Sequence, residues 1–160
     1  MKLVTLLLVC MTMVAALAAP LFAHCEIPCG IYNDKMRFDM IEEHITTIEK
    51  SMNSINELSQ ARDKNYNQLV RWVTNKEEHA VELQHIVEQY FLTQRIKPVE
   101  PDAGDDYATY QKHLELCHRI IVHAMKAKQT TDLAHVEALR AFTAEFRASY
   151  LGPEGEAHEH

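Results

Sequence analysis

From Asp34 to Tyr150, apolar residues return at three- and four-residue steps with almost nothing to interrupt them. Ile41, Ile45, Ile48, Met52 and Ile55 recur at that spacing, which sets them along one face of a helix. A second stretch, residues 65–94, places Leu69, Val73, Ala80, Leu83, Val87 and Tyr90 or Phe91 on its inward side. Pro98 and Pro101, followed by Asp102 and Gly104, break the pattern, because proline lacks a backbone donor and fixes φ. A third stretch carries Tyr107, Tyr110, Leu114, Cys117, Ile121 and Met125. Thr130 or Thr131 is the expected cap of a fourth, with Leu133, Val136, Leu139, Phe142 and Phe146 inward. Gly152 and Pro153 end it, leaving a polar tail over residues 152–160. With only four glycines and five prolines in 160 residues, there is little to build turns between strands. Four amphipathic helices on short connections predict an all-α, antiparallel four-helix bundle over residues 33–151.

That architecture hosts many chemistries, so function has to come from elsewhere in the chain. A formal charge of −7, with no stripe of Lys and Arg, excludes a nucleic-acid partner, since phosphate binding needs clustered cations. The first 23 residues stand apart. Lys2 is followed by the apolar run "LVTLLLVCMTMVAALAA" and by small residues at Ala18, Ala19 and Ala23. This reads as a signal peptide over residues 1–23, with export and a processing peptidase as consequences. An uncleaved membrane anchor is the competing reading, because the run is almost long enough to span a bilayer. A lipoprotein cut at Cys10 would remove barely half of that run. Cuts fit after Ala18 and after Ala23. The second removes Lys2 and no acidic residue, taking the charge from −7 to −8, and makes His24 the new terminus.

The second cut exposes "HCEIPCGIY", residues 24–32. A terminal His24 offers an α-amine and an imidazole, and two thiols lie close behind it. An α-amine has an ordinary pKa of roughly 7.7–8, so a metal displaces its proton near neutral pH. The His24 amine, the Cys25 amide nitrogen and the Cys25 thiolate can close two adjacent five-membered chelate rings. The Cys29 thiolate completes the plane if the chain turns back, and Pro28 and Gly30 make so sharp a hook feasible. The result is a planar set of two nitrogens and two sulfurs, with the His24 imidazole able to approach axially. Zinc prefers tetrahedral sites, whereas tetragonal sites suit nickel(II) or copper(II). Two thiolates tend to reduce copper(II), which leaves nickel(II) as the better match. Thiolate and amidate donation also eases access to nickel(III), so the chemistry suggested is a one-electron redox centre.

"HCEIPCGIY" resembles the nickel hook of the nickel superoxide dismutase family, His-Cys-x-x-Pro-Cys-Gly-x-Tyr at a processed N-terminus. "RFDMIEEHITTIEKSM" and "KEEHA" also resemble the family's helices, so the likeness covers residues 24–151. It implies disproportionation of superoxide to dioxygen and hydrogen peroxide by a Ni(II)/Ni(III) cycle, one nickel per subunit, in a homohexamer of four-helix bundles. It further implies that His24 gives its amine and, when oxidised, its imidazole. Cys25 gives thiolate and amidate, and Cys29 the second thiolate. Pro28 follows a cis peptide bond shaping the hook, and Tyr32 stands over the open axial face. Family members hold the axial imidazole through a Glu and an Arg, a supporting role typical of metal sites. Here the matching positions are Asp39 and His79, a departure from that pattern.

Two other readings compete. A Cys25–Cys29 disulfide suits an exported protein, yet it closes a tiny loop that stabilises a bundle little. A non-catalytic exported bundle that binds nickel or copper would use the same residues without turnover. Elsewhere Cys117 reads as a buried core cysteine. His113, His118 and His123 read as solvated or interface histidines, and His79 and His85 stand at the wrong spacing to share a metal. Tyr107 and Tyr110 read as packing residues, and the tail "AHEH" as a disordered terminus in preference to a weak metal binder.

Overall fold

The computed structural model describes residues 34–155, with side chains to residue 152, and these form an all-α bundle. The helices are α1 (Asp34–Gln60), α2 (Tyr66–His85), α3 (Asp105–Gln129) and α4 (Ala134–Gly155). A π-helical segment, Ile86–Arg95, continues α2 without a break. Helix α1 packs on α2 and α4, and α3 packs on the same two, so the four close into a ring around one core. Among the described residues there is no strand, and no helix is long and apolar enough to cross a membrane.

The periodic residues of α1 are buried as expected: Ile41, Ile45, Ile48 and Met52 are fully enclosed and Ile55 nearly so. Phe38 opens this stripe and meets Phe91, Phe146 and Tyr150, with ring centroids 4.8, 5.1 and 5.8 Å away. Tilted and edge-on contacts of this kind add to the burial of the rings themselves. Val136, Leu139 and Phe146 of α4 complete the core, with Leu133 and Phe142 packed at its margin.

Helix α2 departs from the simple pattern in its first half. Val73, expected inward, is 42 % exposed, and the buried position on that stretch is Lys76. Its ammonium donates to the carbonyls of Ala127, Lys128 and Thr130 at 2.7, 2.6 and 3.1 Å, the acceptors left over at the end of α3. A lysine is buried here because it serves as the C-cap of a neighbouring helix, where a cation also meets the negative end of the dipole. On α3 the inward face is rotated from the one expected. Cys117 is buried, but it is joined by Leu116, Ile120, Ala124 and Ala127, while Met125 is 39 % exposed. Two alanines at the core let the α3 backbone approach closely, and the long methionine is left outside.

The expected Thr130 or Thr131 cap is replaced by a two-step turn. Thr130 Oγ1 accepts from the Asp132 amide, and Asp132 Oδ1 accepts from the amide of Ala134, the first residue of α4. Asn65 caps α2 through the Gln68 amide at 3.1 Å. Gly104 before α3 and Gly152 in α4 have φ of 61° and 65°, the left-handed region that glycine tolerates. Gly152 thus ends the regular part of α4, where the sequence placed its end.

Candidate metal centre and its mount

The residues singled out as metal ligands, His24, Cys25 and Cys29, lie outside the described residues, as do Pro28 and Tyr32. In the sequence they are followed by Asp34, where the described residues begin. Asp34, the first residue of α1, is gripped from two sides of the bundle. Tyr90 donates to Asp34 Oδ1 at 2.5 Å and Tyr150 to Oδ2 at 3.0 Å. Arg95 Nε stands 3.3 Å from Oδ1, and its Nη2 donates to the Tyr90 oxygen at 2.9 Å. The Arg37 and Arg95 guanidiniums both lie over the Tyr90 ring, 4.8 Å from its centre.

The π-helical turn makes this grip possible. Tyr90 and Arg95 are five apart, which in an α-helix would aim them to different sides. Bonds spanning five residues, such as the Ile96 amide to the Phe91 carbonyl at 2.8 Å, bring the two onto one face. The same widening lets neighbours Tyr90 and Phe91 both point inward, at 2 % and 0 % exposure. Burial, and then the Asp34 carboxylate, raise the Tyr90 phenol above its ordinary range, and the same two causes raise Tyr150 further. Both phenols therefore stay protonated and stay donors. Beside them runs an open groove of about 390 Å³, lined among others by Arg95, Lys97, Tyr110, His113 and Tyr150.

The two expected supporting residues are not brought together. Asp39, half-exposed on α1, accepts from Arg147 of α4 at 2.7 Å, and Glu42 shares that guanidinium at 3.2 Å. His79 turns to α1, its Nδ1 lying 2.8 Å from Nδ1 of His44. Sequence pattern did not single out His44, Asp34, Tyr90, Arg95 or Tyr150 as site residues. The pairing of Tyr90 with Arg95 was hidden because α-helical spacing separates them.

Among the described residues, His113, His123 and Cys117 are held by packing. His113, expected as solvated or interfacial, sits between α3 and α4, 3.1 Å from the Ser149 hydroxyl. His123 meets His135 edge-on and Phe142 at a tilt in the same seam, with centroids 5.4 and 5.5 Å away. His118 is exposed. Cys117 is fully buried, and desolvation pushes its thiol up to about 12, so it supplies no thiolate. Among the described residues no three His, Cys, Asp or Glu side chains converge on one point. A thiolate-ligated metal in this chain is therefore a matter for the cysteines ahead of α1.

The sequence model of the nickel-containing superoxide dismutase family matches residues 19–153, a span that includes residues 24–32 and nearly the whole bundle. No curated protein and no solved structure matches the chain.

Proposed function

The chain belongs to the nickel-containing superoxide dismutase family, an oxidoreductase family acting on superoxide, and from that premise we propose how it works. One superoxide gives up an electron and leaves as dioxygen; the next takes that electron with two protons and leaves as hydrogen peroxide. Bound nickel, one per subunit, would supply the one-electron couple between Ni(II) and Ni(III). The observation carrying this reading is that the family match runs through residues 24–32, where the donor set is chemically suited to nickel.

In this reading the chain's own residues divide the work. The His24 amine and imidazole, the Cys25 amidate and thiolate and the Cys29 thiolate would hold the metal. Pro28 would shape the hook, and Tyr32 would limit what reaches the metal. The fixed start of α1 is the mount. Asp34, two residues beyond Tyr32 in the sequence, is held by Tyr90, Tyr150 and Arg95, which fixes the point at which α1 begins. Arg37, Arg95 and Lys97 place positive charge at that end, which offsets the net negative charge opposing an anionic substrate. Asp39 and His79 would be the two positions that support the His24 imidazole. Arg147 behind Asp39 gives that carboxylate the guanidinium partner that His79 does not supply.

We further propose cleavage after Ala23 by a peptidase, export of the mature chain free of the membrane, and assembly as a homohexamer. Lys2, the apolar run behind it and the small residues up to Ala23 support treating the leader as separable. Superoxide consumption by the processed, nickel-loaded protein tests the scheme. Cys25→Ser and Cys29→Ser each abolish turnover while helicity by circular dichroism is kept. His24→Gln retains nickel, through amine and amidate, and loses most activity. Normal turnover in either cysteine variant refutes the ligand assignment.

A further inference from the structure

We propose that His44 and His79 form a second metal site, separate from the hook, that takes a divalent imidazole-seeking cation such as zinc(II) or copper(II). The two rings face each other across the α1–α2 seam with Nδ1 atoms 2.8 Å apart, centroids 5.0 Å apart and planes 57° apart. A contact between two Nδ1 atoms needs one to carry a proton and the other a lone pair, so a single proton holds the rings together. A metal does the same work with two lone pairs. Two imidazoles on one cation at about 2.0–2.1 Å leave their nitrogens about 2.9 Å apart at a right angle and about 3.3 Å apart at the tetrahedral angle. The observed pair needs to open by about 0.1–0.5 Å, and each ring to tilt so that its lone pair turns off the Nδ1–Nδ1 line onto the ion.

The surroundings suit a cation. Both rings are half-buried, so solvent and a metal can reach them, yet the rings are held by two packed helices. Burial and the neighbouring His79 lower the proton affinity of His44, while Glu82 and Glu43 act on it in the opposite sense. Neutral imidazole is the form that ligates. Glu82 follows His79 by three residues, the spacing at which helix bundles pair an imidazole and a carboxylate on one metal. No third ligand is already in position among the described residues, so water or the exposed Glu82 carboxylate fills the set on binding. The site takes none of the hook's ligands, but it does take His79, one of the two positions proposed to support the His24 imidazole, so zinc uptake here is read apart from nickel content at the hook.

Calorimetric titration with zinc(II) of the full chain carrying Cys25→Ser and Cys29→Ser tests this, since the hook's thiolates are then gone. One equivalent per chain is lost in His44→Asn and in His79→Asn. It is retained when His158 and His160 of the tail are both replaced by Asn. With copper(II), the spectrum by electron paramagnetic resonance shows two imidazole nitrogens, and each single variant removes one. A variant that unfolds is bypassed by following the ring nitrogens of His44 and His79 by NMR in the histidine-intact chain, where one equivalent of zinc(II) shifts both. Rings that stay unmoved, or a stoichiometry indifferent to His44→Asn, overturn the proposal.

Discussion

Replacing Lys76 by Met tests whether a buried cation really closes the end of α3. The methionine keeps an unbranched stem of similar length but removes the ammonium, whose side chain is 4 % exposed in the native fold. Three carbonyls, those of Ala127, Lys128 and Thr130, then lose their donor. An acceptor left unsatisfied in a buried setting costs about 1–3 kcal/mol, and the favourable helix-end charge adds up to about 2 kcal/mol. Against this stands relief from desolvating an ammonium, itself several kcal/mol. Glu77, 3.5 Å away with its side chain 41 % exposed, returns little of that. Taking about 1 kcal/mol per carbonyl, with the dipole and desolvation effects opposed, the loss is about 3 kcal/mol. For a chain of this size that corresponds to a fall in Tm of about 10 °C. Urea unfolding of metal-free protein measures it without a contribution from bound nickel, with an unchanged m-value as the sign that only stability moved. Lys126→Met, at an exposed position of the same last turn, is the control and stays within about 0.5 kcal/mol. A Lys76→Met chain as stable as the control would refute the idea that this lysine is buried for its cap.

Tyr90→Phe removes the donor to Asp34 while keeping the ring, and the loss expected in urea is about 1.5–3 kcal/mol, because the acceptor is charged. The histidines give stability a pH dependence. His44, His113 and His123 all titrate below their ordinary value of 6.5 in the fold, chiefly through burial. The unfolded chain then binds protons first, so stability is full above pH 6.5 and declines as pH falls below it. His113→Gln shallows that decline between pH 7 and about 5, read as the urea midpoint; an identical slope would leave His113 no part in it. At the core, Phe38→Ala opens the aromatic cluster and costs about 3–5 kcal/mol, measured the same way.

The bundle was legible because hydrophobic periodicity reports which face of a helix leaves water, and on α1 and α4 nothing competes with it. Where another force acted, the pattern misled. Val73 has the hydrophobicity for the core, but the turn it belongs to is oriented by Lys76 reaching for α3. Met125 lost its place to alanines because closeness of helices outweighs side-chain size there. Tyr90 and Phe91 looked like alternatives, since one α-helical face cannot hold adjacent residues equally; a π-turn holds both. The site divided differently. The proposed metal ligands all fall within residues 24–29, so a short motif displays them together. The Asp34 grip draws on α1, the π-helical segment and α4, and the His44–His79 contact on α1 and α2. No local spacing encodes contacts between residues that far apart in the chain.

One atom decides whether the hook can work, the α-amine of His24, which exists only if the chain is cut after Ala23. Intact mass and nickel content, measured together on the active protein, read it directly. The expected result is a chain beginning at His24 with one nickel per subunit. An active, nickel-bearing protein that begins at Met1, Ala19 or Pro20 would contradict it.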